Sequence, residues 1–517
     1  MMDVSSCFIL EVEGMKKVSK GIFVMVTILL CNSLVMLHPS AASPTLSPVT
    51  NPEEAGFDSE KLAQMETNIQ EQIDAGYSSL SMIVIKDGKI AYQNAFGLAK
   101  KYNQSELMSD PIPATVDTMY DMASNTKMFA TNFALQKLVT EGKLGIDDLV
   151  SDYIDGFADQ PDDVIKGKDI MKISDILHHN AGFPADPQYP NQAVAGDLYS
   201  QDKATTLAMI CKTPLEYEPG TKNIYSDVDY MLLGFIIEAI VGMPLDEYVE
   251  MEIYAPLGLT HTMFNPLDKG IAPEQTAATE LNGNTRDGVI DFPNIRIETI
   301  WGEVHDEKAY YAMEGVSGHA GLFSNTADMA VLLQVMLNGG TYNGVELFSK
   351  AVADEFTASS VSNPTYGLGW RVNGGSGYSS FGKYASPTTY GHTGWTGTLT
   401  LIDPENNLGI VLLGNRVHSP VTDPAVDPNR FDSADTELRN YSWTVNQVYE
   451  ALLQDEPGDS TDNNSSENNT EEAEQSESTT ANSDTLPQTG QAPIAAWAAI
   501  GGLCIGGAII VLRYRGE

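Results

Sequence analysis

The sequence predicts an α/β fold in which an antiparallel sheet is flanked by helices and carries an inserted, mainly helical subdomain. An amphipathic pattern at residues 59–73 predicts a first helix, a hairpin follows at 81–97, and a buried helical pattern begins near Ser124. Strand patterns recur late in the chain, near 367–372, 391–402 and 408–414. Short turns between neighbouring strands make the sheet antiparallel, and a closing helix is expected around 436–453.

Ser124 and Lys127 form the first motif with chemical meaning. A serine hydroxyl needs an adjacent base before it attacks a carbonyl, and a lysine three residues later on a helix lies on the same face. Burial lowers the pKa of such a lysine and makes it a usable base. Ser200 and Ser380 show the same spacing to a lysine. We interpret both as solvated surface serines, because Ser200 stands too close to the tyrosine motif and Ser380 lies in a glycine-rich stretch.

Tyr225 is the second chemical candidate, as a proton carrier. It stands in a turn and loop that lead into a buried helix. Tyr92 and Tyr189 match a Tyr-x-Asn pattern more literally, but Tyr92 lies on a strand of the predicted hairpin and is interpreted as structural. A late His-Thr-Gly motif at 392–394 would clamp an anion. Together these motifs indicate a serine acyl-transfer enzyme.

From about residue 52 to about residue 453 the chain resembles the serine β-lactamase-like hydrolases, of the class C β-lactamase and DD-carboxypeptidase type. The matching stretches are 123–127, 177–184, 219–234, 318–324, 366–370 and 391–397. The resemblance implies that Ser124 forms the acyl-enzyme and that Lys127 and Tyr225 shuttle its proton.

The same resemblance implies the binding groups. The strand that carries His392, Thr393 and Gly394 would bind the edge of the substrate. The backbone N–H groups of Ser124 and Trp395 would form the oxyanion hole, in which the loss of one donor typically costs about 3–4 kcal/mol of barrier.

Two positions depart from the commonest β-lactamase pattern. Asp227 stands where β-lactamases usually carry Asn, and an ionised carboxylate accepts hydrogen bonds but donates none. His392 stands where they usually carry Lys. Both changes favour a carboxypeptidase or esterase over a dedicated β-lactamase, and residues 302–319 and 414–418 resemble a subgroup of penicillin-binding DD-carboxypeptidases or esterases.

Histidines elsewhere in the chain do not predict a metal site. His305 precedes Asp306, and His178 precedes His179, but no cysteine or carboxylate cluster at ligand spacing accompanies either pair. We interpret them as loop and core histidines. Neither a metal nor an organic cofactor is expected.

The two ends of the chain predict export and anchoring. Residues 1–42 read as a leader with a signal peptide cleaved after Ala42, and the basic start at Met15 makes it a candidate initiator in place of Met1. Residues 455–485 are acidic and rich in Ser and Asn, which predicts a disordered linker that spans the wall. Residues 486–517 resemble a sortase sorting signal with a transmembrane segment and a basic tail. The signal consists of Leu486, Pro487, Gln488, Thr489 and Gly490.

The net charge and the cysteine content exclude one class of binding partner and one kind of cross-link. The formal net charge of −41 and the pI near 4.3 exclude nucleic-acid binding as a working idea. Cys211 is the one cysteine between the leader and the sorting tail, so no intramolecular disulfide is expected in the mature enzyme.

The sequence therefore predicts a secreted serine hydrolase attached covalently to the peptidoglycan of a Gram-positive surface after processing by sortase. The expected activity is a D-alanyl-D-alanine carboxypeptidase, or a hydrolase of related D-alanyl peptides or esters. A β-lactamase or esterase is the alternative within the enzyme class. A non-catalytic β-lactam-binding or surface interaction protein is the alternative outside it.

Overall fold

The main sheet lies at the centre of the molecule. The computed structural model describes residues 45–361 and 363–453. Eight strands of this part of the chain form the sheet, in the order Ser47–Pro48, Lys89–Asn103, Ser79–Lys86, Leu408–Gly414, Thr398–Asp403, Tyr390–Gly394 and Arg371–Val372, with Glu106–Pro113 paired to Lys89–Asn103 outside this path. All neighbours are antiparallel except Ser47–Pro48, which runs parallel to Lys89–Asn103. The predicted antiparallel sheet flanked by helices is confirmed.

The two faces of the central strands are buried in different apolar clusters. The residues that face one cluster are Ile83, Ile85, Val411 and Leu413, and those that face the other are Met82, Val84, Ile410 and Leu412. This alternation is the period of two that a strand imposes on its side chains. Both faces are covered, so the strands read as continuous apolar runs.

The first and last helices cover one face of the sheet. Ser59–Asp74 begins where the Asp58 carboxylate accepts hydrogen bonds from the backbone of residues 60 and 61, and its buried residues join the same cluster as those of Tyr441–Glu450. The predicted first helix is confirmed. The predicted closing helix is shorter than 436–453, because Glu437–Arg439 forms a separate 3-10 turn and the chain is extended at Asn440.

The other face packs against the helix that follows Ser124 and against the helical subdomain. The buried helix after Ser124 runs as a π-helix, Lys127–Asn132, and continues as an α-helix, Phe133–Thr140. The further helices are Ile173–Leu177, Gln192–Ala195, Lys203–Lys212, Asp227–Val241, Leu245–Val249, Glu250–Tyr254, Ala255–Leu257, Lys308–Ala312, Thr326–Leu337 and Lys350–Thr357. Most of them lie between the Ser124 helix and the late strands, as an insertion.

The strand predictions need two corrections. The predicted strand 391–402 is two strands, Tyr390–Gly394 and Thr398–Asp403, because the chain turns back at Gly397 with φ of +121°. The strand predicted near 367–372 is only Arg371–Val372. The hairpin predicted at 81–97 is confirmed: its turn lies at Asp87 and Gly88, both with positive φ, as the twist of a two-residue hairpin requires.

Three smaller sheets complete the fold described. Tyr120–Asp121, Leu322–Ser324 and Met263–Phe264 form one, Val421–Asp423 and Asp427–Phe431 a second, and Thr341–Tyr342 and Val345–Glu346 a third. Among the described residues, no single helix combines the length and apolarity needed to cross a membrane, although the bent pair Asp227–Val241 and Leu245–Leu257 meets both criteria when taken together. The predicted leader, linker and sorting signal lie outside the described residues.

Candidate active site

Ser124 lies on a tight turn between a strand and a helix. It is the middle residue of the 3-10 turn Ala123–Asn125, which joins Tyr120–Asp121 to the π-helix that begins at Lys127. Ala123 has φ of +46°, a strained value for a residue with a side chain, and its N–H donates to the Asp121 carboxylate at 2.8 Å. A helix does begin near Ser124 as predicted, but it starts as a 3-10 turn and a π-helix.

Lys127 is fully buried and faces three oxygens. Its Nζ lies 3.0 Å from Ser124 Oγ, 2.9 Å from Asp227 Oδ1 and 3.1 Å from the backbone oxygen of His319. A neutral amine has two hydrogens and one lone pair. The carboxylate and the carbonyl accept the two hydrogens, so the lone pair is directed at the serine hydroxyl. Burial lowers the pKa of Lys127, and the nearby Asp227 opposes that shift.

Tyr225 brings its phenol to the same place. Its ring stacks on His179 with centroids 4.5 Å apart, and Lys127 Nζ lies 4.9 Å from the ring centre. The hydroxyl is buried, and it has no hydrogen-bond partner among the described residues. Burial and then the charge of Asp227 raise the Tyr225 pKa well above its ordinary value. The phenol is therefore protonated at neutral pH.

Asp227 is ionised and lies between two lysines. Its Oδ1 binds Lys127, and its Oδ2 lies 3.3 Å from the Nζ of Lys308. Burial alone would raise the Asp227 pKa, but the two lysines outweigh it and hold the pKa below the ordinary value. Lys308 was missed by the sequence analysis, because no motif spacing connects it with Ser124.

The His-Thr-Gly strand packs against the turn that carries Ser124, but its histidine is uncharged. His392 is buried, and its Nδ1–H donates to the backbone oxygen of Thr393 at 2.7 Å. Burial first, and the positive charge of Arg371 second, lower the His392 pKa to about 3. Thr393 Oγ1 lies 3.2 Å from the hydroxyl of Tyr378. At neutral pH, His392 supplies no positive charge to an anion.

The predicted oxyanion donors occupy one cleft. Ser124 and Trp395 both line it, and neither backbone N–H donates a hydrogen bond to the described part of the chain. The Tyr441 hydroxyl donates to the Gly394 carbonyl at 3.1 Å and thereby holds the peptide that carries the Trp395 N–H, and Arg416 Nε donates to the Trp395 carbonyl at 2.8 Å. Both N–H groups are therefore available to a substrate oxygen.

Arg371 is the second residue that the sequence analysis missed. It lies on the strand next to the His-Thr-Gly strand, where Arg371 pairs with Gly391. Its guanidinium carbon lies 4.0, 5.3 and 5.5 Å from the ring centres of Tyr366, Tyr378 and Tyr225. The side chain is buried, Nε has no hydrogen-bond partner, and no carboxylate of the described residues pairs with it. The matching stretch 366–370 ends directly before Arg371, and this adjacency was the sequence signal that could have identified it.

One group of potential metal ligands lies beside Ser124. Ligand atoms of Asp227, Asp306 and His319 lie within 4.8 Å of one another. Lys308 Nζ lies 3.5 Å from Asp306 Oδ2, and both carboxylates thus already contact ammonium groups. A divalent cation would have to displace these lysines, so this donor set does not fit a metal as it stands.

The competing motif matches lie away from the contacts of Ser124 and Lys127. The Oγ of Ser200 contacts Thr206, and its lysine partner in the motif, Lys203, pairs with Glu238. Ser200 and Ser380 are both only 2% exposed, so their interpretation as solvated surface serines is wrong. Tyr92 lies on its hairpin strand as predicted. Tyr189 donates to or accepts from Thr213 within the helical subdomain, and Cys211 there is a free buried thiol.

Comparison with known proteins places this geometry in a family. Residues 63–435 match the family model described as Beta-lactamase. A protein of Escherichia coli O157:H7 named "Putative D-alanyl-D-alanine carboxypeptidase" is 63% identical over 416 residues, which cover 80% of this chain and 96% of the relative. A protein of the same name from Salmonella typhi is 64% identical over 403 residues, 78% of this chain and 93% of the relative.

Solved structures share the fold at lower identity. A penicillin-binding protein homologue from Caulobacter crescentus is 20% identical with a TM-score of 0.53, over 76% of this chain and 98% of that one. EstCE1, described as a hydrolase with promiscuous acyltransferase activity, is 20% identical with a TM-score of 0.54, over 76% of this chain and 99% of that one. The family model spans most of the chain, and the Escherichia and Salmonella relatives match over almost their whole length. This chain therefore belongs to the Beta-lactamase family and is a serine hydrolase.

Proposed function

We propose that this protein is a D-alanyl-D-alanine carboxypeptidase of the penicillin-binding type. The observation that carries the proposal is Arg371, a buried cation beside the reactive groups with no carboxylate of the described residues to neutralise it. A buried charge without a partner is costly, so such a site favours a ligand that brings the opposite charge. A peptide that ends in D-alanine brings a carboxylate.

Arg371 is placed to bind that carboxylate at the leaving-group end. Its strand neighbours the strand of Thr393, and Tyr378 contacts both, as an aromatic face to Arg371 and as a hydrogen-bond partner to Thr393. A guanidinium binds a carboxylate through two parallel hydrogen bonds, which fixes the orientation of the peptide. Because His392 is neutral, Arg371 supplies the positive charge and Thr393 a hydroxyl.

In the acylation step Ser124 Oγ bonds to the carbonyl carbon of the penultimate D-alanine. The hydroxyl proton passes to Lys127 Nζ, and the carbonyl oxygen becomes an oxyanion bound by the N–H groups of Ser124 and Trp395. The C–N bond then breaks. The Tyr225 hydroxyl gives its proton to the departing amine and receives one from Lys127, so that terminal D-alanine leaves with a neutral amine and Lys127 is again neutral.

Deacylation runs the same proton path in reverse. A water gives its proton to the Tyr225 and Lys127 pair and attacks the ester carbon, and the Ser124 oxygen leaves and recovers a proton. The names of the Escherichia and Salmonella relatives support this activity.

The test is release of D-alanine from diacetyl-L-lysyl-D-alanyl-D-alanine, compared with the same peptide carrying a C-terminal amide. The acid should be hydrolysed and the amide should not, because the amide brings no charge to Arg371. Ser124→Ala should abolish the reaction and the labelling by a fluorescent penicillin. Rapid turnover of the penicillin, or hydrolysis of simple esters without release of D-alanine, would instead assign a β-lactamase or an esterase.

We further propose that the enzyme is secreted and that sortase joins it covalently to peptidoglycan. The leader at 1–42 and the sorting signal Leu486 to Gly490, with the apolar run and basic tail after it, support this localisation. In a Gram-positive host, the protein should appear in the wall fraction and be released by muramidase. Deletion of 486–490 should move it to the membrane or the medium, and an unchanged distribution would contradict the anchor.

A further inference from the structure

Lys308 is a buried lysine that none of the proposed chemical steps uses. It begins the short π-helix Lys308–Ala312 and is 2% exposed. Its Nζ contacts the carboxylates of Asp186, Asp227 and Asp306. One carboxylate would balance the charge of the buried ammonium, and Lys308 contacts three. The ammonium therefore also stabilises the negative charges of the carboxylates.

Lys308 contacts one group that accepts a hydrogen bond from Lys127, and it is linked through Asp306 to the residue that supplies the other. It contacts Asp227 Oδ2 at 3.3 Å, while Oδ1 of the same carboxylate binds Lys127. It also contacts Asp306, whose other oxygen lies 2.8 Å from His319 Nε2, and the carbonyl of His319 is the second acceptor of Lys127. Two lysines therefore share one carboxylate, and only Lys127 contacts Ser124.

This sharing decides which lysine neutralises Asp227. A buried carboxylate with Lys127 as its sole partner would require the ammonium form of Lys127, which has no lone pair for the serine proton. We propose that Lys308 is a positioning residue that provides the permanent counter-ion of Asp227 and thereby leaves Lys127 free to act as a neutral base toward Ser124. This inference rests on the roles proposed above for Ser124 and Lys127.

The other titratable groups around Lys127 do not replace this charge. Burial raises the pKa values of Tyr225, Tyr230 and Asp229 and lowers those of His179 and His392, so all five favour their neutral forms. Asp186 and Asp306 contact Lys308, and His319 lies between Asp306 and Ser317. The closest basic side chain able to balance Asp227 besides Lys127 is Lys308.

The experiment measures, as a function of pH, the rate of the burst of p-nitrophenol that the full-length chain releases from p-nitrophenyl acetate. This burst reports acylation, and the assay needs no knowledge of the natural substrate. In Lys308→Met the acidic limb of the pH–rate profile should move to higher pH by about 1–2 units, because the loss of a neighbouring positive charge raises the pKa of Lys127. The burst should recover at high pH. Lys308→Arg keeps a cation and should restore the wild-type limb. A wild-type limb in folded Lys308→Met would overturn the proposal.

A matched control separates positioning from the general loss of a buried lysine. Lys168 is equally buried, and its Nζ lies 3.6 Å from Asp163 and donates to the Cys211 carbonyl. Neither of these partners contacts Ser124 or Lys127. Lys168→Met should lower stability and leave the limb unmoved. If it moves the limb as much as Lys308→Met does, the role assigned to Lys308 is wrong.

If Lys308→Met does not fold, the double variant Lys308→Met with Asp186→Asn removes one charge of each sign and should fold better. Its limb should still lie higher than that of Asp186→Asn alone, and coincident limbs would overturn the proposal. Ser124→Ala distinguishes a failure of the proposed catalytic roles from a failure of the positioning role alone. A burst that persists in Ser124→Ala overturns the proposed catalytic roles themselves, whereas its loss, together with an unmoved Lys308→Met limb, overturns only the positioning role.

Discussion

Gly394 packs against the backbone of Met122 so closely that a Cβ at position 394 would lie 2.5 Å from the Met122 oxygen. The last residue of the His-Thr-Gly strand therefore touches the turn that carries Ser124. Gly394→Ala should push the strand end and the Trp395 N–H away from the cleft, and the loss of one oxyanion donor typically lowers kcat by roughly 10²–10³-fold. Stopped-flow labelling with a fluorescent penicillin measures this rate.

Gly409→Ala is the control for that substitution. Gly409 lies in the same sheet, two strands away from Gly394, where a Cβ would meet the side chain of Ile85 at 2.8 Å. The variant should lose stability while its folded fraction acylates at the wild-type rate. Equal losses of rate in both variants would show that sheet strain, rather than the oxyanion hole, is responsible.

Lys127→Arg should be inactive although it preserves the positive charge. Arginine cannot lose a proton in a protein, and the loss of a general base costs about 10²–10⁴-fold in rate. In the wild type, acylation should rise with pH because the neutral amine is the base, and burial should place the midpoint below the ordinary lysine pKa of about 10.4. Lys137→Met, on the same helix but paired with Glu141, is the control. Full activity of Lys127→Arg would exclude Lys127 as the base.

Arg371→Met should separate peptides from esters. Turnover of the D-alanyl-D-alanine peptide should fall by roughly 10–100-fold in kcat/KM, the value of a charge-assisted hydrogen-bonded pair, while p-nitrophenyl acetate, which has no carboxylate, should react normally. Arg371→Lys should recover only part of the loss, because an ammonium lacks the planar fork. Arg430→Met, which removes an exposed partner of Asp435, is the control. Equal losses with both substrates would contradict carboxylate recognition.

His418 should make stability depend on pH. It is buried, its Nδ1–H donates to the Thr279 carbonyl, and its Nε2 accepts from the backbone of residues 101 and 102. Burial lowers its pKa to about 4 from an ordinary 6.5. Between these pH values the unfolded state binds more protons, so stability falls as the pH drops through this window.

His418→Gln tests that linkage, because an amide can donate and accept in the same two directions. It should reduce the loss of unfolding free energy between pH 6.5 and pH 4 by up to about 3 kcal/mol. Urea unfolding at several pH values gives the slope, with the partly exposed His261→Gln as the control. An unchanged slope in His418→Gln would show that other groups titrate on unfolding.

The sequence predicted the structure correctly where the prediction depends on residues close together in the chain. The first helix, the hairpin turn at Asp87 and Gly88, and the placement of Lys127 one turn after Ser124 follow from short-range periodicity and spacing. Local signals failed where the chain reverses between strands, at Gly397, and where the fold buries a serine, at Ser200 and Ser380.

By itself the sequence determined the fold class, the serine and lysine pair and the family resemblance, because each depends on residues close together in the chain. Only the tertiary structure decided the charges of the site. It brought Lys308 to Asp227 across 81 positions of sequence, left Arg371 beside Tyr225 with no carboxylate partner among residues 45–361 and 363–453, and made His392 neutral. The physical reason is that a side chain's charge and partners depend on burial and on neighbours contributed by remote segments, which no local pattern encodes.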